Sequence, residues 1–88
     1  MAKQNEREIL KDILHGIRDL IRQTRTNRQE LQKLEAEIVQ LHDAGHMSDL
    51  FYDIEMERAR RAHKSVNYCM KSLERQKKVA LWQLKELE

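Results

Sequence analysis

The feature that most constrains the fold is a seven-residue repeat of apolar side chains that begins near residue 9. Counted from Leu10, two positions of the repeat are mostly leucine or isoleucine. The first position holds Leu10, Ile17, Thr24, Leu31 and Ile38, and the second holds Ile13, Leu20, Asn27, Leu34 and Leu41. Such a repeat is typical of an α-helix that packs along another helix in a coiled-coil-like seam.

A second helix is indicated after one turn. The repeat stops in the stretch LHDAGHMSDL, where Gly45 can end a helix in the left-handed conformation and Ser48 can cap the next helix. Apolar residues then recur at steps of three and four residues. They are Tyr52, Met56, Ala59, Val66, Leu73, Ala80, Leu84 and Leu87. The sequence predicts an all-α protein, an antiparallel two-helix hairpin in one domain over 1–88, with helices over about 4–43 and 49–86 and a turn at 43–48.

An additional apolar edge suggests that the hairpin associates with another chain. The sequence has 88 residues, no proline, two glycines and 36% charged residues, which suits long helices but leaves little material for a core. Ile9, Leu14 and Ile21 lie beside the predicted seam, and Trp82 is expected at the same end of the hairpin. Because Ile9, Leu14 and Ile21 widen the apolar stripe, we expect an association edge, to which we also assign Trp82, and a dimeric four-helix bundle.

Polar residues interrupt the predicted seam near its middle. Thr24 and Asn27 occupy seam positions, and folding the chain at Gly45 places Asn27 opposite His63 and Thr24 opposite Asn67. A polar layer of this kind fixes the register of paired helices at some cost in stability. We interpret these four residues as such a layer.

Basic residues flank the same region and form a predicted belt. Its members are Arg22, Arg25, Arg28, Arg58, Arg60, Arg61 and Lys64. Residues 29–57, in contrast, contain eight acids and one lysine. Arginine is suited to carboxylate and phosphate, so the belt is a candidate site for a protein or anion. The alternative is that these cations are solvated or bridge to acids of a neighbouring chain.

The sequence offers no pattern for catalysis or for a bound cofactor. His42 and His46 are four residues apart, but Gly45 is expected to end the helix between them, which disfavours a metal site. There is no glycine-rich phosphate loop, and no nucleophile has an obvious base nearby. A single cysteine, Cys69, and the lack of a signal-peptide pattern or long apolar run suggest a cytoplasmic protein. We therefore expect a non-enzymatic protein with no cofactor.

Two functions fit these patterns. The first is a protein-interaction module, such as a small adaptor, chaperone or inhibitor, that binds a partner through the apolar edge and the basic belt, with a homodimer or higher oligomer expected. The second is phosphate recognition, in which nucleic acid or a nucleotide held between protomers contacts the arginines. The acidic turn and the lack of aromatic residues among the belt cations count against nucleic acid at the belt.

Overall fold

The protein is a hairpin of two long helices packed against each other. The computed structural model describes the backbone of residues 2–88 and the side chains of residues 5–88. Helix α1 spans Ala2–Asp43 and helix α2 spans Asp49–Glu86, and no strand occurs in this described part. The all-α hairpin predicted from the sequence is confirmed. Neither Gly16 nor the polar stretch around Thr24 breaks α1.

The turn between the helices has the chemistry that the sequence predicts. Gly45 has a φ of 78°, a left-handed conformation that side chains with a Cβ rarely adopt. The amide of His46 donates to the carbonyl of Leu41 at 2.9 Å, and the amide of Gly45 donates to the carbonyl of His42 at 3.0 Å. These two bonds close the end of α1. Ser48 then caps α2, because its Oγ accepts a hydrogen bond from the amide of Phe51 at 3.2 Å.

The chain forms two compact units, each built from a part of both helices. Unit 1 comprises residues 1–24 and 69–88, and unit 2 comprises residues 25–68 and includes the turn. The core of unit 1 contains residues from both helices, with Leu84 packed against it. Its buried members are Leu14, Ile17, Ile21, Met70, Leu73 and Ala80. In unit 2, the buried apolar residues are Ile38 and Ala59.

The seam on α1 differs from the predicted one. Leu14 and Ile21 are buried, whereas Ile13 and Leu20, which we predicted at the seam, are about half exposed. The helix therefore packs through the first position of the repeat, such as Ile17, and the position four residues after it, such as Ile21. The prediction had used the position three residues after it, such as Leu20. The two stripes are indistinguishable in the sequence here because Ile13 and Leu14 are both apolar, as are Leu20 and Ile21. On α2, the predicted stripe agrees with the residues that are buried or half-buried.

Candidate functional site: an apolar surface on unit 1

The apolar surface consists of five exposed hydrophobic residues of unit 1. They are Ile9, Ile13, Leu20, Val79 and Trp82. Ile13 and Leu20 each directly precede a buried residue of α1, and Val79 directly precedes the buried Ala80 of α2. Neighbouring residues differ by about 100° around an α-helix, so Ile13, Leu20 and Val79 project to one flank of the seam. We call this flank the apolar side of unit 1.

A groove of about 500 Å³ lies on this side, near the chain ends. Its apolar lining comes from Ile9, Leu10, Trp82 and Leu87, and polar residues Glu6, Gln83 and Glu86 complete the lining. Trp82 remains 62% exposed although it lines the groove. An open groove with an exposed tryptophan and two carboxylates can accept an apolar side chain from a partner and pair with its nearby cations.

The structure corrects half of the predicted association edge. Ile9 and Trp82 are exposed and line the same groove. Leu14 and Ile21 do not belong to the edge, because they are only 4% and 6% exposed and form the core of unit 1. Sequence reasoning missed Ile13, Leu20 and Val79. The first two had been assigned to the seam, and a solvent-exposed valine on α2 carries no distinctive pattern.

The predicted polar layer is not present as proposed. Asn27 is exposed, so it does not lie at the seam, and Thr24 is buried but donates its hydroxyl to the carbonyl of Leu20 in the same helix at 2.7 Å. His63 pairs with Glu35 instead. Asn67 accepts a hydrogen bond from Arg28 at 3.0 Å. Asn67 was expected opposite Thr24 and lies beside Arg28, and His63 was expected opposite Asn27 and lies beside Glu35, so the facing residues are shifted by about one to two helical turns.

All three belt arginines on α2 are paired with acids of their own helix. Arg58 lies 3.3 Å from Glu55, and Arg61 lies 3.3 Å from Glu57. Arg60 also binds Glu57, and this hydrogen bond is the main reason that the pKa of Glu57 falls below its usual value. The same bond raises the pKa of Arg60. These pairs partly neutralise the three arginines, which weakens the case for an anion site at this part of the belt.

The remaining belt residues differ in their surroundings. Arg28 is half-buried in unit 2, whereas Arg25 and Lys64 of the same unit are exposed. Arg22 belongs to unit 1, where it lies 3.8 Å from Asp19. The belt is therefore not one uniform cluster of exposed cations.

The two histidines near the turn differ, and only His42 has side-chain contacts that stabilise local structure. His42 lies 2.7 Å from a carboxylate oxygen of Asp49 and stacks on Tyr52, with 4.1 Å between the ring centroids. His46 is exposed. Among the described residues, no three side chains of histidine, cysteine, aspartate or glutamate are grouped so that they could hold a metal ion. Over the same residues, neither helix has an apolar stretch long enough to cross a membrane.

Comparison with known proteins adds no assignment. No protein-family model matches the sequence, and searches of curated proteins and of solved structures found no similar chain.

Proposed function

We propose that this protein is a non-enzymatic interaction module that binds a helix of another protein chain through the apolar side of unit 1. The observation that carries this proposal is the alignment of exposed Ile9, Ile13 and Leu20 along α1 beside the Trp82 groove. Large exposed apolar surfaces on water-soluble helices mark interaction sites, and tryptophan is enriched among residues that dominate binding energy. A small adaptor, chaperone or inhibitor would use such a surface.

The shape of the surface favours a helical partner. Ile9, Ile13 and Leu20 are spaced by four and seven residues, the spacing at which α-helices present side chains to a neighbouring helix. In the arrangement that we propose first, the covering helices come from a second copy, which gives a dimeric four-helix bundle. A helix from a different protein would cover the surface in the same way. The proposed setting is the cytoplasm, where the exposed thiol of Cys69 stays reduced.

The proposal gives the mid-hairpin belt a smaller role than the apolar side. Arg58, Arg60 and Arg61 already have carboxylate partners one turn earlier on α2. A partner would have to compete with these acids, and exposed ion pairs contribute little net free energy. The belt can guide the approach of an acidic partner, while the apolar side supplies most of the affinity.

Parallel affinity capture tests the proposal with a matched pair of variants. The docking variant combines Ile13→Ser with Val79→Ser, which removes two exposed apolar side chains from the apolar side. The control is Leu81→Ser. Leu81 is also an exposed apolar residue of α2 in unit 1, but it directly follows Ala80 and so projects to the opposite flank.

We expect the wild type and the control to retain the same captured chain and the docking variant to lose it. The captured chain is either a differently tagged second copy or another protein. Circular dichroism should show equal helicity in all three, because the substituted side chains are exposed. Retention of the same chain by the docking variant would refute the role of the apolar side.

A further inference from the structure

The flank of unit 1 opposite the apolar side carries a concentration of cations. On α1, Lys11 directly follows Leu10, and Arg18 directly follows the buried Ile17. On α2, Lys71, Lys78 and Lys85 each directly follow a buried or half-buried residue. All five cations are exposed and all belong to unit 1. We call this set the basic side of unit 1.

The two helices present these cations to the same flank. In the groove of unit 1, the lining residues Ile9, Gln83 and Glu86 each directly precede a half-buried residue of their helix. Residues that precede the seam therefore lie on one flank for both helices. Residues that follow the seam lie on the other flank, since neighbouring residues differ by about 100° around the helix axis. Lysines from α2 and basic residues from α1 thus share one surface.

These cations differ from Arg58, Arg60 and Arg61 in having no carboxylate partner. None of the ion pairs among residues 5–88 involves Lys11, Arg18 or the three lysines of α2. Glu74 stands between Lys71 and Lys78 on this flank, and Glu88 at the chain end is paired with Arg7. Like charges gathered on one surface repel each other, and binding a polyanion removes that repulsion.

The spacing of the lysines suits an extended and regular polyanion. Lys71, Lys78 and Lys85 are separated by seven residues each, so they form a row with a repeat of about 10.5 Å and a length of about 21 Å along the helix. Double-stranded DNA presents one negative charge per roughly 1.7 Å of its axis. The flexible stems of the three lysines can therefore each reach a phosphate of a duplex that lies along the row.

We propose that the basic side of unit 1 binds the phosphate backbone of double-stranded nucleic acid without reading its sequence. Lysine is a compact charge on a flexible stem, which contacts phosphate without the paired geometry that arginine offers to a carboxylate. Of the residues that follow the seam on α2 between Lys71 and Lys85, none is an asparagine or glutamine, the side chains that pair with the edge of adenine. This site is separate from the apolar side, so either proposal can fail without the other.

The chemistry favours a duplex over the two other anionic partners. Proteins that bind single strands use aromatic side chains as stacking platforms, and Trp82 of unit 1 lines the groove of the apolar side instead. A folded acidic protein would have to present carboxylates at the same even spacing as the lysine row, whereas a duplex repeats its phosphates along its whole length. The three lysines of α2 therefore point to phosphates held at regular positions.

Binding of a fluorescently labelled duplex DNA, measured by anisotropy over a series of salt concentrations, tests this proposal. The test variant carries Lys71→Gln, Lys78→Gln and Lys85→Gln. The matched control carries Arg58→Gln, Arg60→Gln and Arg61→Gln, which removes the same formal charge from arginines that have carboxylate partners. Glutamine keeps a high helix propensity and all six residues are exposed, so circular dichroism should be unchanged.

For the wild type, we expect affinity to fall linearly with salt on logarithmic axes, with a slope of about −4.5 if all five cations contact phosphates. The lysine variant should lose about 2.7 from the magnitude of that slope, and the arginine control should keep the wild-type slope.

Three results would overturn the proposal. The first is no binding to the duplex at low salt, and the second is equal weakening by both variants, which would reflect net charge alone. The third is binding of single-stranded DNA or poly-glutamate as tight as that of the duplex.

Discussion

At the scale of single residues, Arg28 shows how the observed seam changes the meaning of a side chain. The sequence places Arg28 with the belt and Asn27 at the seam, but in the structure Asn27 is exposed and Arg28 is half-buried. One terminal nitrogen of the guanidinium donates to Asn67, whereas its Nε is buried and has no hydrogen-bond partner. A buried donor without a partner costs about 1 to 3 kcal/mol, so this position is a local weakness of unit 2.

Replacement of Arg28 by leucine should stabilise the protein. The change removes the unpaired Nε and leaves the exposed amide of Asn67 to water, so we expect the free energy of unfolding to rise by about 1 kcal/mol. Urea unfolding followed by circular dichroism measures the change. Arg25→Leu is the control, because Arg25 is exposed and its replacement should have a smaller effect. A clear loss of stability in Arg28→Leu would show that the arginine is a net stabilising contact.

At the scale of the helices, existence and ends could be predicted from the sequence, but the packing face of α1 could not. Gly45 and Ser48 signal the turn through local backbone chemistry, which needs no knowledge of the other helix. The packing face depends on which of two adjacent apolar residues contacts α2. Ile13 and Leu14 satisfy the periodicity equally well, and so do Leu20 and Ile21. Because the packing face was assigned to the wrong residues, the polar layer was predicted at the wrong residues as well. For the same reason, Leu14 and Ile21 of the core were assigned to the association edge.

A pair of adjacent substitutions tests the packing face of α1. Ile21 is 6% exposed and Leu20 is 50% exposed. Ile21→Ala should therefore lower the free energy of unfolding by about 2 to 3 kcal/mol, and Leu20→Ala should lower it by less than about 1 kcal/mol. The measurement is chemical unfolding of dilute protein, so that association does not contribute. A larger loss for Leu20→Ala than for Ile21→Ala would restore the predicted seam.

At the scale of the whole molecule, function depends on surfaces that a fold prediction does not supply. The candidate site was only partly predictable: Ile9 and Trp82 were assigned to the association edge, and both line the groove of unit 1. The basic side was missed because its lysines are spread over α2 and become one surface only when the flanks of both helices are known. One flank of unit 1 is thus the apolar side, whose groove also contains Glu6 and Glu86. The opposite flank is rich in lysine.

The fluorescence emission of Trp82 tests most directly whether the apolar side is covered when the chain self-associates or binds a partner. Trp82 is the only tryptophan in the sequence and is 62% exposed, so its fluorescence reports on the groove alone. When the chain self-associates or binds its captured partner, we predict a shift to shorter wavelength and weaker quenching by acrylamide than in the dilute chain. The variant with Ile13→Ser and Val79→Ser should keep the emission of the dilute chain. An assembly that forms while the emission and quenching of Trp82 stay unchanged would contradict the account.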